Sequence, residues 1–117
     1  LGWRFLYSPA ATLSPETRML FFGFNPGGDW YQPPNLTADE GSLFRVGRWT
    51  EGGRPTPLQE QVCGLFNAIA HKRGDITGDA LMDQCLTSNY VPFRSPSRDA
   101  LVNRRATLGF PTRCGRR

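Results

Sequence analysis

The chain has 117 residues, 38% of them hydrophobic and 21% charged, with 13 glycines, 10 prolines and a formal net charge of +4. That length allows one domain around a single small core, and the composition suits a loop-rich globular domain rather than a strongly disordered chain. The longest apolar run is far shorter than the roughly 20 residues of a membrane span, and no basic segment precedes an apolar one as in a signal peptide. A cytoplasmic protein without a membrane partner is therefore expected.

The charge is unevenly spread. Residues 94–117 carry seven arginines and one acid, Asp99, a net +6; residues 1–93 carry seven basic and nine acidic residues, a net −2. A basic end on a mildly acidic body suits a polyanionic partner, or else a solvated tail. Cys63, Cys85 and Cys114 form no CxxC pair, and His71 is the single histidine. That pattern argues against a disulfide framework and against a metal site, and no cofactor is expected.

In chain order, the aromatic segment Trp3 to Tyr7 suits packing against a sheet edge. Ser8 to Ser14 reads as a loop, and Pro15-Glu16 as a turn. Arg18–Phe24 reads as a strand, and its lack of alternation predicts burial on both faces and a parallel sheet. Gly27 to Pro57 is long and irregular but holds Trp30, Tyr31, Phe44 and Trp49, which predicts an ordered, site-building loop with a short helix within 38–46. Thr56 caps and Pro57 opens a helix over 57–73. Its stripe is Leu58, Val62, Leu65, Phe66, Ile69 and Ala70, and Gly74 closes it. A helical turn at 78–83 precedes a second strand, Cys85 to Phe93, which ends near Asn89 because Pro92 cannot sit in a strand interior. Ser95-Pro96-Ser97 caps a further helix, Arg98 to Leu108. The order strand, loop, helix, strand is a βαβ unit.

Ligands of open parallel sheets bind at the carboxyl ends of the strands. Asn25 follows the first strand and Asn89 ends the second, so both side chains can face one crevice. An Asn amide offers one acceptor and two donors, which matches a nucleobase edge. The residues alone also allow a plainer arrangement, with Asn25 capping a turn and Asn89 bonding its own backbone.

Gly23-Phe24-Asn25-Pro26-Gly27 resembles the GxNPG motif of the uracil-DNA glycosylase superfamily, in its mismatch-specific and single-strand-selective branches. Asn89-Tyr90-Val91-Pro92 is similar to the family's base-reading Asn, which is often followed by Pro. The resemblance covers roughly Arg18 to Arg98. It implies an α/β fold, a three-layer α/β/α arrangement with a short central parallel sheet, as one partial domain over 1–117 that ends in a basic tail at 99–117. It also implies DNA as partner and hydrolysis of the N-glycosidic bond of uracil or a related base.

By the same resemblance, Phe44 stacks on a flipped base and Asn89 reads the uracil O4 and N3–H edge. The turn Gly23, Phe24, Pro26, Gly27 and Gly28 lines the base, with backbone N–H groups near uracil O2. Asn25 positions the attacking water and Asp29 is the nearby carboxylate that activates it. Arg94 and Arg98 meet phosphates. The chain departs from the family in lacking a later strand with a His-Pro-Ser-type loop, so the ending looks abbreviated. A catalytically inactive relative that binds nucleic acid or a nucleobase is the alternative. A bare two-stranded sheet would expose its edges. That predicts oligomerisation, a third strand from the N-terminal segment, or poor independent stability.

Overall fold

The computed structural model describes residues 3–24, 27, 38–97 and 99–100. After a 3-10 turn at Ala10–Thr12, strand β1 spans Leu20–Gly23. Helices α1 (Leu43–Val46), α2 (Pro57–Arg73) and α3 (Gly78–Gln84) follow, and strand β2 spans Leu86–Asn89. The two strands are parallel, with Leu20 opposite Leu86 and Gly23 opposite Asn89. This is a small α/β fold of mixed helices on a two-stranded parallel sheet. No described helix is long and apolar enough to cross a membrane.

Helix α2 forms where its caps direct it. The Thr56 hydroxyl accepts from the Gln59 N–H at 3.2 Å, and the Gln59 carboxamide accepts from the Thr56 N–H at 3.0 Å, a reciprocal capping box. Pro57 takes the first position, and Gly74 closes the helix in the left-handed region at φ 75°. The stripe runs somewhat differently from the expected one. Val62, Phe66 and Ala70 are buried with Gln59, whereas Leu58 and Leu65 are 54% and 48% exposed. Leu58 and Leu65 lie seven residues apart and so share one flank, turned away from the core line of 59, 62, 66 and 70.

The core gathers Tyr7, Phe44, Val62, Phe66, Ala70, Leu81, Met82 and Cys85, with Phe21 and Met19 packed against it. Rings dominate it. Phe21 meets Phe44 edge-on at 5.6 Å and Phe66 at 5.9 Å, and Phe44 meets Trp49 at 5.4 Å. Pairs of this kind add about 0.5–1.5 kcal/mol each beyond their burial.

The first strand is not buried on both faces as its sequence suggested. Leu20 and Phe22 are 60% and 57% exposed, while Phe21 turns inward. The described helices pack on the Phe21 side, so the strand alternates as a half-covered sheet does.

The N-terminal segment supplies the third strand-like partner. It runs antiparallel to β2 through isolated bridges at Leu6 with Ser88 and Trp3 with Phe93. The Tyr7 N–H donates to the Thr87 carbonyl at 2.8 Å, and the Arg4 N–H to the Pro92 carbonyl at 2.8 Å. The Thr87 N–H donates to the buried Ser8 hydroxyl at 3.0 Å, and the Ser88 hydroxyl to the Phe5 carbonyl at 2.7 Å. β2 is thus central, with β1 on one side and residues 3–8 on the other. At the other end, the Ser97 hydroxyl accepts from the Ala100 N–H at 3.1 Å, the expected cap, and residues 99–100 are helical; the rest of the helix expected to follow lies outside the described residues, as do 28–37 of the long loop.

Candidate functional site

The parallel register brings the two strand ends level. Gly23 stands opposite Asn89, and the ladder continues one step further. The Tyr90 N–H donates to the Gly23 carbonyl at 2.9 Å and the Val91 N–H to the Phe24 carbonyl at 2.8 Å. Gly23 is required here by space rather than by φ. A Cβ on it would stand 2.6 Å from the Asn89 Oδ1, so the bare glycine lets the amide lie across the strand end. The Asn89 Nδ2 is buried and has no hydrogen-bond partner at ordinary geometry, although its side chain lies close enough to Tyr7 to lower the Tyr7 pKa through a hydrogen bond.

Tyr7 flanks this amide. Burial raises the Tyr7 pKa, and the charges of Arg4 and Arg94 together with the neighbouring Asn89 amide pull it back down. The Arg4 guanidinium sits 5.6 Å above the centroid of the Tyr7 ring, a cation–π arrangement. Its own pKa is lowered, first by burial and then by the charge of Arg94, with Tyr7 opposing. Arg94 is only 8% exposed. Its Nη1 donates to the Gly27 carbonyl at 3.1 Å, and its Nε has no partner.

Of the residues expected to form the site, Gly23, Asn89, Gly27 and Arg94 come together at the carboxyl end of the sheet. Phe24 continues from β1 and is 44% exposed. Gly27 is exposed, and a Cβ there would meet nothing within 4 Å, so its backbone carbonyl rather than its small size is what the site uses. Phe44 stands in the core at 8% exposure, and its ring is 5.6 Å from that of Tyr7. It packs against Tyr7 in the core rather than standing as an exposed ring. Asn25, Pro26, Gly28, Asp29 and Arg98 lie outside the described residues.

Two members were missed from the sequence. Arg4 and Tyr7 reach the site only because residues 3–8 pair with β2, and the segment reads simply as an aromatic edge. A cation within an aromatic run was the one available signal.

Two clefts lie elsewhere, and Phe44 is the one residue of the expected site that lines either of them. One, of about 350 Å³, is lined by Thr12, Glu16, Arg18, Arg73 and Asp83, near the amino end of β1. The other, of about 500 Å³, is lined by Arg45, Arg48, Gln59, Glu60 and Cys63 beside α2. Among the described residues no three His, Cys, Asp or Glu side chains gather as a metal site. His71 ends α2 and is exposed. Comparison with family models, with curated proteins and with solved structures finds no match to this chain.

What the strand-end arrangement offers chemically is donors. An amide N–H₂ and a buried guanidinium Nε without ordinary partners, a second guanidinium and a phenol lie near one another. Among the described residues neither arginine is in an ion pair, since the two pairs formed are Arg45–Asp83 and Arg73–Asp75. Such a set suits a ligand rich in acceptors.

Proposed function

We propose that the chain is a DNA glycosylase-like protein of the three-layer uracil-DNA glycosylase type. It accepts a base flipped out of DNA at the carboxyl ends of β1 and β2 and hydrolyses its N-glycosidic bond. The observation that carries this reading is the amide of half-buried Asn89, level with the end of β1, whose buried Nδ2 has no hydrogen-bond partner at ordinary geometry. A buried amide donor without a partner costs about 1–3 kcal/mol, a penalty that a bound acceptor would remove. Uracil O4 is such an acceptor and its N3–H complements the Asn Oδ1. Cytosine presents the reverse pattern at the same two positions.

The reaction itself needs little from the protein beyond positioning and charge stabilisation. Water adds to the sugar C1′ as the bond from C1′ to the base N1 breaks. The electron pair leaves on the base and the water proton passes to solvent or to the departing base. In this reading Asn25 orients the water, Asp29 is the carboxylate assigned to activate it, and backbone N–H groups from the Asn25 to Gly28 segment meet the charge that builds on O2. Flipping the base costs a few kcal/mol, least for single strands.

One observation favours a second reading, a relative that binds a base or nucleic acid without cleaving. The chain's single histidine, His71, ends α2, on the side of the sheet where β2 begins, while Asn89 ends that strand. Among the described residues no imidazole stands beside Asn89.

An abasic-site assay on uracil-containing single and double strands separates the two. Cleavage lost in Asn25→Ala and Asn89→Ala supports the glycosylase reading. Uracil-dependent binding without cleavage supports the second. Cleavage that survives both substitutions overturns the assigned roles.

A further inference from the structure

Arg4 and Arg94 together form, we infer, a receptor for a phosphate oxyanion beside the strand-end amide. The source of that phosphate, a nucleic-acid backbone or a free phosphate monoester, is the only part of the inference that rests on the function proposed above.

The argument starts from a cost. A guanidinium keeps its charge at any ordinary pH, and burying a charge is expensive unless it is paired and hydrogen-bonded. Arg94 is 8% exposed, yet it has one hydrogen bond to the Gly27 carbonyl and an idle Nε. No described carboxylate pairs with it. A second cation adds to the cost. The bridge of Trp3 to Phe93 and the bond from the Arg4 N–H to the Pro92 carbonyl fix Arg4 next to the segment that carries Arg94. The Arg4 guanidinium is then held over Tyr7, near enough for Arg94 to disfavour its charge.

Two cations held together with no ion pair among the described residues are a poor structural device. A structural arginine normally forks onto a carboxylate. A tetrahedral oxyanion resolves the arrangement, because it carries enough charge and enough lone pairs for both guanidiniums. The unpaired Asn89 Nδ2 lies beside Tyr7 on the same side, so a phosphate here would sit adjacent to the base position rather than within it.

The test uses the full chain, with inorganic phosphate and a short oligodeoxycytidylate as probes, since Asn89 does not match cytosine. Binding is read by calorimetry and by the thermal midpoint, in wild type, Arg4→Gln, Arg94→Gln and Asn89→Ala. Wild type is expected to bind phosphate saturably. Arg4→Gln is expected to weaken it by roughly tenfold or more, the loss of a charge-assisted bond. Phosphate should raise the midpoint of wild type and leave that of Arg4→Gln unmoved, while Arg4→Gln without phosphate melts no lower than wild type. A merely structural arginine would give neither result.

Asn89→Ala should keep its phosphate affinity, so the receptor and the base-reading proposal fail separately. If the oligonucleotide follows the same pattern, with a shallower salt dependence in Arg4→Gln, the phosphate is that of a nucleic acid. If inorganic phosphate binds and the oligonucleotide does not, the receptor stands and its ligand is a free phosphate or monoester. Arg94→Gln tests the buried partner, and Arg4→Gln keeps the result readable if that variant does not fold. No saturable binding of either probe to wild type, or equal affinity in Arg4→Gln, overturns the inference.

Discussion

Gly23 and Asn89 face each other at the ends of two parallel strands, and the Asn89 Oδ1 occupies the space that a Cβ on Gly23 would need, 2.6 Å away. The atom in the way is the tip of a side chain, so Gly23→Ala displaces the amide rather than the backbone. The expected stability loss is about 1 kcal/mol or less, visible as a small drop in denaturant midpoint. Base-dependent binding, by contrast, should fall as far as it does in Asn89→Ala. Loss of both stability and binding in proportion would mean that Gly23 acts only in folding.

Gln59 carries more than its place in a helix suggests. Its Oε1 closes the capping box with Thr56, and its Nε2 donates to the Gly47 carbonyl at 2.8 Å and weakly to the Phe44 carbonyl at 3.4 Å. It is 2% exposed. Thr56→Ala removes one cap bond and should cost about 1 kcal/mol. Gln59→Ala takes a donor from the half-buried Gly47 carbonyl and from the Phe44 carbonyl, leaves a cavity, and should cost more, about 2–4 kcal/mol. Urea unfolding of the two variants checks the order, and an equal loss would show that the Gln59 link to the α1 segment is idle.

The elements that announced themselves are those whose signals are local. Thr56, Pro57 and Gly74 mark both ends of α2, and Pro92 marks the end of β2, because capping and ring closure act within a few residues. Asn89 as a strand-end amide was legible for the same reason. Arg4 and Tyr7 were not, since their place depends on residues 3–8 pairing with residues more than eighty positions away. The one-sided burial of β1 was misread because an apolar run does not say which face the helices will cover. Phe44 shows the same limit. A Phe in a loop region can stack on a ligand or fill the core, and only tertiary packing with Tyr7, Phe21 and Trp49 decides between them.

Alkaline pH should destabilise the fold. Burial pushes up the pKa of Cys63, Cys85 and Tyr7. A group whose pKa is raised by folding contributes fully below its unfolded value and loses that contribution as pH climbs through its folded value. Stability should therefore stay level up to about pH 8.5, the ordinary thiol range, and decline above it. Cys85, with no exposed surface, is a main contributor. Cys85→Ala should be less stable at neutral pH yet show a shallower alkaline decline in its thermal midpoint. An unchanged slope would remove Cys85 from the explanation.

Base discrimination at Asn89 is the centre of the account. The most direct measurement is the ratio of affinities for uracil- and cytosine-containing single strands of one sequence, in wild type and in Asn89→Ala. The account predicts a uracil preference of about tenfold in wild type, in line with about 1–3 kcal/mol for a good paired contact to a base edge, and no preference in Asn89→Ala. Equal affinity for the two strands in wild type, or a preference that survives the substitution, would contradict it.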